Sequence, residues 1–125
     1  MTNYQIGDLL IRLKNAGMAG IKEIPFFNSN MVLGVAKTLK SEGFIESIEE
    51  GKKTITVKLS IFNKKPVLSN VRIVSRPGLR IYMSVDEIES YNKPDVLILT
   101  TPKGIMSGSM AKKERVGGEL IAKVI

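Results

Sequence analysis

The first half of the chain contains two stretches in which apolar residues recur at helical spacing. They are Ile6, Leu9, Leu10 and Leu13 in the first stretch, and Val32, Val35, Ala36 and Leu39 in the second. Apolar residues three or four positions apart line one face of a helix. The pattern predicts a first helix that begins at a capping box of Thr2 and Gln5 and ends near Gly17. It predicts a second helix that is capped by residues 28–30 and ends near Gly43.

Strand patterns follow these helices. Residues 21–27 are predicted to be extended, and Pro25 favours an edge or irregular strand. Residues 44–50 and 54–61 predict a hairpin, because apolar and polar residues alternate along the second segment. In the second half, strands are predicted at 67–75, 79–83, 96–99 and 119–125. The run at 96–99 is apolar throughout, which is typical of a central strand covered on both faces.

Two local signals divide the second half further. Pro77 and Gly78 predict a tight turn, and Ser84 with Glu87 predicts a capping box for a short helix that ends before Pro94.

Residues 63–66, NKKP, interrupt both periodicities, since a polar run there closes in proline. We interpret this segment as a linker. It separates an N-terminal α-β-α-β-β lobe, residues 1–62, from a C-terminal β-rich lobe with short helices, residues 67–125. The predicted fold class is therefore α+β with two small lobes, each too small to be very stable alone.

Composition excludes several kinds of chemistry. The chain has no Cys and no His, so disulfides, thiol catalysis, thiolate zinc sites and Ser/His/Asp triads are all excluded. We expect no metal, no cofactor and no small-molecule substrate. No apolar run approaches the roughly 20 residues of a membrane span, and the N-terminus lacks the features of a secretory signal. We therefore expect a cytoplasmic protein with no membrane span.

The net charge of +7 points to a polyanionic partner, either nucleic acid or an acidic membrane surface. Residues 1–62 carry a net charge of +2, and residues 63–125 carry +5. Four of the five arginines, Arg72, Arg76, Arg80 and Arg115, also lie in the second half. Because the planar guanidinium suits bidentate phosphate contacts, the C-terminal half is the predicted anion-binding half. Arginines that brace the two lobes against each other are the alternative.

Ser109 and Lys112 match the S-x-x-K pattern of some acyl-transfer enzymes. Ser90 and Lys93 repeat it, and neither copy has the companion motifs S-D-N or K-T-G. We interpret both copies as helix segments with a surface lysine, and we predict that the protein is not an enzyme. A serine acyl-transfer enzyme and a protein-interaction or DNA-binding module remain the alternatives from other functional classes.

Residues 100–104, TTPKG, form the most informative candidate site. Hydroxyls and free backbone N–H groups can bond phosphates, 2′-hydroxyls and base edges, and Gly104 allows close backbone approach. We predict a loop that reads the shape of an irregular RNA helix. The alternative is a loop in which the threonines bond their own backbone.

Residues just after this loop extend the candidate site. Lys112 and Arg115, near the end of a short helix capped by Ser107 or Ser109, could contact phosphates or complement the helix dipole. We expect Gly117 and Gly118 to allow an unusual backbone path that brings Glu119 near the threonines if their strands pair.

Several motifs together resemble one family. SRPGLRIY at 75–82, TTPKGIM at 100–106 and VGGE at 116–119 occur in order, after DLLIRLKNA at 8–16 and EGFI at 42–45. Over essentially the whole chain, this set is similar to the small-subunit ribosomal protein eight family. The resemblance implies a primary rRNA-binding protein of the ribosome, in the cytoplasm or an organelle. Such a protein attaches to the central domain of 16S-type rRNA and helps to assemble the platform.

The resemblance also implies partners and site residues. Neighbouring small-subunit proteins five and twelve are implied partners, and the bacterial family can also act as a translational repressor outside the ribosome by binding its own messenger. The family's Ser/Thr loop corresponds to Thr100, Thr101, Lys103 and Gly104, with Tyr82 and Glu119 close by. The sequence departs from the family at Pro102, which often is a third hydroxyl residue, and at Arg115, which usually is small or polar. The complete candidate RNA-binding set is Tyr82, Arg76, Arg80, Thr100, Thr101, Lys103, Gly104, Lys112, Arg115 and Glu119.

Overall fold

A computed structural model describes residues 3–125, with side chains from Gln5 onward. Its helices are α1 (Asn3–Met18), α2 (Asn30–Ser41), α3 (Val85–Ser90) and α4 (Gly108–Glu114). Thr2 of the predicted capping box lies outside the described residues. The cap of α2 is confirmed, because the Ser29 hydroxyl accepts the Val32 N–H at 3.1 Å. Helix and sheet together make the fold α+β, as predicted.

The first half of the chain contains a three-stranded antiparallel sheet. One of its strands precedes α2 in the sequence, and the other two follow α2. Its strands are β1 (Glu23–Phe27), β2 (Ile45–Glu50) and β3 (Thr54–Leu59), in the order β1-β3-β2. Pro25 lies on the edge strand β1, as predicted, where its missing N–H need not cost a ladder bond. Ile55, Val57 and Leu59 are buried in one core cluster with residues of α1 and α2. The opposite face of this sheet carries the polar residues.

The segment predicted as a linker is folded into a hairpin. Strands β4 (Ile61–Phe62) and β5 (Lys65–Pro66) pair antiparallel around Asn63 and Lys64, whose φ angles are 52° and 65°. Two consecutive residues with positive φ match the right-handed twist of a tight hairpin. The larger core cluster also crosses this point, since it contains Leu68, Val71 and Ile98 beside the residues of the first sheet. The division into two lobes stays a prediction.

A five-stranded antiparallel sheet forms the second half. Its strands are β6 (Val71–Ile73), β7 (Tyr82–Met83), β8 (Val96–Thr101), β9 (Gly104–Ser107) and β10 (Gly118–Val124). The order is β6-β10-β8-β9, and β7 pairs with the first residues of β10. The predicted strand at 67–75 is therefore shorter than expected. The predicted capping box is confirmed, because Ser84 and Glu87 exchange side-chain bonds to each other's backbone N–H at 3.2 and 3.1 Å.

Strand β8 is covered on both faces, as its apolar run predicts. Ile98 belongs to the larger core cluster, whereas Leu97 and Leu99 belong to a second cluster with Ile88 of α3 and Ala111 of α4. None of the described helices is long and apolar enough to cross a membrane. Across residues 3–125, no group of acidic side chains is arranged to hold a metal ion. Strand β8 is thus held on both faces, and this packing supports the residues at its C-terminal end.

Candidate nucleic-acid interface

The predicted loop at 100–104 is the tip of a hairpin. Strand β8 continues through Thr101, and β9 begins at Gly104, so that Pro102 and Lys103 form the turn. The β-branched threonines favour a strand, and Gly104 accommodates a φ of 118°. The expectation of a five-residue loop is therefore wrong, since pairing with β9 leaves a two-residue turn.

Thr101 stabilises this tip from within. Its side chain is only 7% exposed, and its Oγ1 donates to the Gly104 carbonyl at 2.8 Å while accepting the Lys103 N–H at 3.1 Å. For Thr101 the structure therefore supports the alternative in which a threonine bonds its own backbone. Pro102, Lys103 and Gly104 are exposed at the turn. The hydroxyl fixes the turn, and the exposed residues present the surface.

Three candidate residues lie side by side on neighbouring strands at this end of the sheet. Thr100 of β8 is opposite Glu119 of β10, and Glu119 is opposite Tyr82 of β7. The expectation that Glu119 lies beside the threonines is confirmed. The Thr100 hydroxyl is buried and has no hydrogen-bond partner in the described part of the chain. The Tyr82 side chain, in contrast, is largely exposed.

Glu119 is a buried carboxylate at the centre of this row. It is 5% exposed, and its Oε1 lies 3.5 Å from Nη1 of Arg80. A buried carboxylate is costly without a partner, because burial removes its hydration. Arg80, about half exposed on its side chain, supplies one partner and keeps its remaining N–H groups available for other acceptors.

The two glycines before Glu119 allow three backbones to come close. A Cβ at Gly117 would lie 2.5 Å from the Met83 carbonyl oxygen, and one at Gly118 would lie 2.3 Å from the Thr100 carbonyl oxygen. Neither glycine has a positive φ. The unusual backbone path expected of these glycines therefore consists in the closeness of the strands and not in a positive φ. The two glycines are required because any side chain would collide with the neighbouring strands.

Ser75 anchors the segment that leads to Tyr82. Its buried hydroxyl donates to the Leu120 carbonyl at 2.6 Å and accepts the Ile81 N–H at 3.0 Å. Sequence reasoning missed this role. The available signal was the position of Ser75 at the start of a motif that doubles back through a turn. By fixing Ile81 against β10, Ser75 fixes the register of the next residue, Tyr82, opposite Glu119.

The remaining cationic candidates lie in three places. Lys103 Nζ is 3.3 Å from Glu114 Oε2, so the hairpin tip touches the end of α4. Arg115 follows as the left-handed C-cap of α4, with a φ of 54°. Arg76 lies apart, on the turn closed by reciprocal backbone bonds with Leu79 at 2.9 and 3.0 Å, which confirms the predicted Pro-Gly turn. The ion pair with Glu114 thus places Lys103 beside the end of α4 that carries Arg115, whereas Arg76 lies on the turn that precedes Arg80.

Lys112 faces a different depression. It lines this depression with Glu42, Tyr91, Asp95 and Ser109. Burial, together with the charge of the nearby Asp95, raises the pKa of the Tyr91 phenol. The depression therefore combines cationic, anionic and neutral polar groups, and it is separate from the hairpin tip.

The Ser109 hydroxyl bonds a carboxylate. It donates to Glu42 Oε2 at 3.0 Å. The Oγ of Ser107, the N-cap of α4, lies 3.1 Å from the Oγ of Ser109. Among the described residues, no hydrogen bond joins Ser109 to Lys112. Ser109 therefore ties the start of α4 to Glu42, the C-cap of α2.

Comparison with known proteins finds a family match over almost the whole chain. Residues 4–125 match the family described as Ribosomal protein S8. A relative from Pelagibacter ubique is 40% identical over 124 residues, which cover 95% of each chain. Relatives from Mesoplasma florum and Nitratidesulfovibrio vulgaris are 40% and 38% identical, with 99% of each chain covered. All three carry the name "Small ribosomal subunit protein uS8".

Proposed function

This chain belongs to the ribosomal protein S8 family, and on that premise we propose that it is a structural constituent of the small ribosomal subunit that binds the subunit's rRNA. The names of its relatives support the assignment to the small subunit. The proposed rRNA target is the central domain, where the protein helps to assemble the platform beside small-subunit proteins five and twelve. Its proposed location is the cytoplasm, in the ribosome.

We propose that RNA binds at the end of the five-stranded sheet, on a surface that we call the tip surface. Its members are Tyr82, Arg80, Thr100, Thr101, Lys103, Gly104, Arg115 and Glu119. The observation that carries this proposal is the register of Tyr82, Glu119 and Thr100 across three strands, next to an exposed turn. Arg76 and Lys112 lie outside this surface, and we propose that they contribute only salt-dependent attraction to phosphates.

The members of the tip surface have different proposed roles. Lys103 and Arg80 contact phosphates, and the exposed Tyr82 ring packs against a base or ribose. The Thr100 hydroxyl is buried and has no partner in the described part of the chain, so its side chain rotates about χ1 to bond a 2′-hydroxyl or a base edge when RNA binds. Glu119 holds Arg80 in place. Lys103 exchanges its exposed ion pair with Glu114 for a phosphate, at small cost because exposed ion pairs contribute little.

Rigidity explains how so few groups could give specific binding. Thr101 closes the turn, Ser75 fixes the approach to Tyr82, and the glycines lock β10 between its neighbours. Because these groups are ordered before RNA arrives, little conformational entropy is lost on binding.

Equilibrium binding to a fragment of central-domain rRNA tests the proposal. We expect Lys103→Ala to weaken binding about tenfold through loss of a phosphate contact. Thr101→Ala should weaken binding by loosening the turn, and Thr101→Ser, which restores the hydroxyl, should recover most of it. Lys37→Ala, an exposed lysine on α2, is the matched control and should bind as the parent does. Unchanged affinity for both Lys103→Ala and Thr101→Ala would remove the tip from the RNA site.

A second measurement asks whether the surface recognises RNA specifically. Replacing the fragment by DNA of the same sequence removes every 2′-hydroxyl. We expect binding to weaken at least tenfold, and Thr100→Val should reduce that preference because it removes the free hydroxyl at similar volume. Equal affinity for the two polymers would contradict the proposed 2′-hydroxyl contacts.

A further inference from the structure

The outer edge of β6 is not paired with another strand among the described residues. Asn70 and Ile125 exchange backbone hydrogen bonds of 3.0 Å in each direction. Inward and outward residues alternate in an antiparallel pair, so the N–H and C=O groups of Val71 and Ile73 point away from β10. Within residues 3–125, no strand pairs with that side of β6. The edge therefore directs two donors and two acceptors away from the sheet, and an added strand must uncover Val71, which is only 6% exposed.

An open groove follows this edge and differs in chemistry on its two sides. Ile11 of α1 and Ile73 give one side an apolar character. Arg72 and Lys123 are register partners, so their side chains share the opposite face of the sheet. Arg76 lies at one end of the groove, beside exposed Leu79 and Ile81. An added strand would meet apolar groups on one face and cations on the other.

The two arginines are free to pair with a partner. Among the described residues, neither Arg72 nor Arg76 forms an ion pair. Lys123 lies over the Tyr91 ring at 5.3 Å. Asp95 is close to Tyr91, and Asp8 lines a depression that Arg76 also lines, yet neither carboxylate pairs with an arginine. The groove therefore has positive charge that no ion pair among the described residues neutralises.

We propose that the β6 edge binds an extended segment of a partner protein in which apolar and acidic residues alternate. The segment adds a strand to the sheet, as edge strands elsewhere accept peptides. Its apolar side chains lie beside Ile11 and Ile73, and its carboxylates lie beside Arg72 and Lys123. The proposal does not rest on the tip surface, because β6 pairs with the last residues of β10, whereas Glu119 of the tip surface lies near the start of that strand.

Groove chemistry favours a peptide over nucleic acid. Aliphatic side chains cover much of the groove, and they offer no flat ring on which a base could stack. Backbone donors and acceptors in strand geometry match another backbone. The alternation of apolar and cationic groups along β6 also matches the two-residue period of a strand, which a phosphate backbone lacks.

Fluorescence anisotropy with the full chain tests the proposed chemistry. The probe is a fluorescein-labelled seven-residue peptide of alternating valine and glutamate, and the control peptide has lysine in place of glutamate. We expect the glutamate peptide to bind at least about tenfold more tightly. Arg72→Glu should reverse this preference, whereas Lys37→Glu, far from the groove on α2, should leave it unchanged. Circular dichroism of each variant checks that the fold is intact.

Peptide N-methylation tests strand addition without changing the protein. In antiparallel pairing, the residues opposite Val71 and Ile73 share their face and are the valines. Methylating the valine amides should abolish binding, whereas methylating the glutamate amides should preserve it. Equal effects of the two methylation patterns would overturn strand addition. A loss of rRNA binding in Arg72→Glu with unchanged peptide binding would overturn the proposal in favour of nucleic acid. Concentration-dependent dimers abolished by Arg72→Glu would overturn it in favour of a second copy.

Discussion

The two sheets of this protein are held by different kinds of contact. The three-stranded sheet buries apolar side chains on one face and exposes polar ones on the other. The five-stranded sheet is covered on both faces at β8, and its strands approach so closely that Gly117 and Gly118 cannot carry a Cβ. Of the five buried polar residues in the described chain, four lie in or beside this second sheet: Ser75, Thr101, Ser107 and Glu119.

The difference shows where the protein can hold polar groups rigidly. A sheet with one wet face lets its polar side chains move in solvent. In an enclosed sheet most buried polar groups have a fixed partner, and in the described part of this sheet the Thr100 hydroxyl is an exception. The polar residues of the second sheet are therefore ordered in advance, which is what a surface that recognises a folded polyanion requires.

The largest predicted effect follows from the close approach of the strands. Gly118→Ala places a Cβ 2.3 Å from the Thr100 carbonyl oxygen, and we expect a loss of about 3 kcal/mol or more in the free energy of unfolding. Thermal denaturation should show a fall of roughly 10 °C or more in Tm.

Gly34→Ala in α2 is the matched control for this substitution. Its Cβ would lie 3.5 Å from Ile105 Cδ1, an ordinary contact, and alanine favours a helix by about 1 kcal/mol over glycine. We expect Tm to stay the same or rise. If Gly118→Ala and Gly34→Ala lowered Tm equally, the close approach of the strands at Gly118 would not be what determines the effect.

A smaller effect is expected at the buried serine. Ser75→Ala leaves the Leu120 carbonyl and the Ile81 N–H without their partner, and we expect a loss of about 1–3 kcal/mol in urea denaturation. Thr54→Ala, on the exposed start of β3, should cost less than about 0.5 kcal/mol. If the two variants unfold at the same urea concentration, Ser75 does not anchor the approach to Tyr82.

The smallest effects concern ion pairs. Arg80→Ala removes one partner of the buried Glu119, and we expect a cost of about 1 kcal/mol. Lys58→Ala breaks the exposed pair with Glu46, whose N–O distance is 3.7 Å, and should cost less than about 0.5 kcal/mol. Chemical denaturation measures the free energy of unfolding of both variants. A larger loss for Lys58→Ala than for Arg80→Ala would contradict the expected order.

The strands of the first sheet could be predicted from sequence because they are marked by the alternation of buried and exposed side chains. The alternation of Ile55, Val57 and Leu59 with polar residues gives β3 directly, and Pro25 marks the edge. The boundaries of α1, α2 and the following hairpin agree with the prediction to within about two residues.

The second half was harder because backbone contacts determine it. The short pairing of β4 with β5 depends on positive φ at Asn63 and Lys64, and the sequence showed only a polar run. The threonines of 100–104 predicted a loop, but pairing with β9 made them a strand end. Sequence alone did bring Thr100 and Glu119 together, since that required only the pairing of two apolar strands.

The most direct test of the account compares the two sheets as RNA-binding surfaces. Benzoylphenylalanine, a photocrosslinker, is introduced at Pro102 in the hairpin tip of the five-stranded sheet or at Lys52 in the hairpin turn of the three-stranded sheet, both exposed. After irradiation with a central-domain rRNA fragment, crosslinked RNA is quantified by gel electrophoresis. We predict strong crosslinking from position 102 and at most background from position 52. Crosslinking from position 52 alone would contradict it.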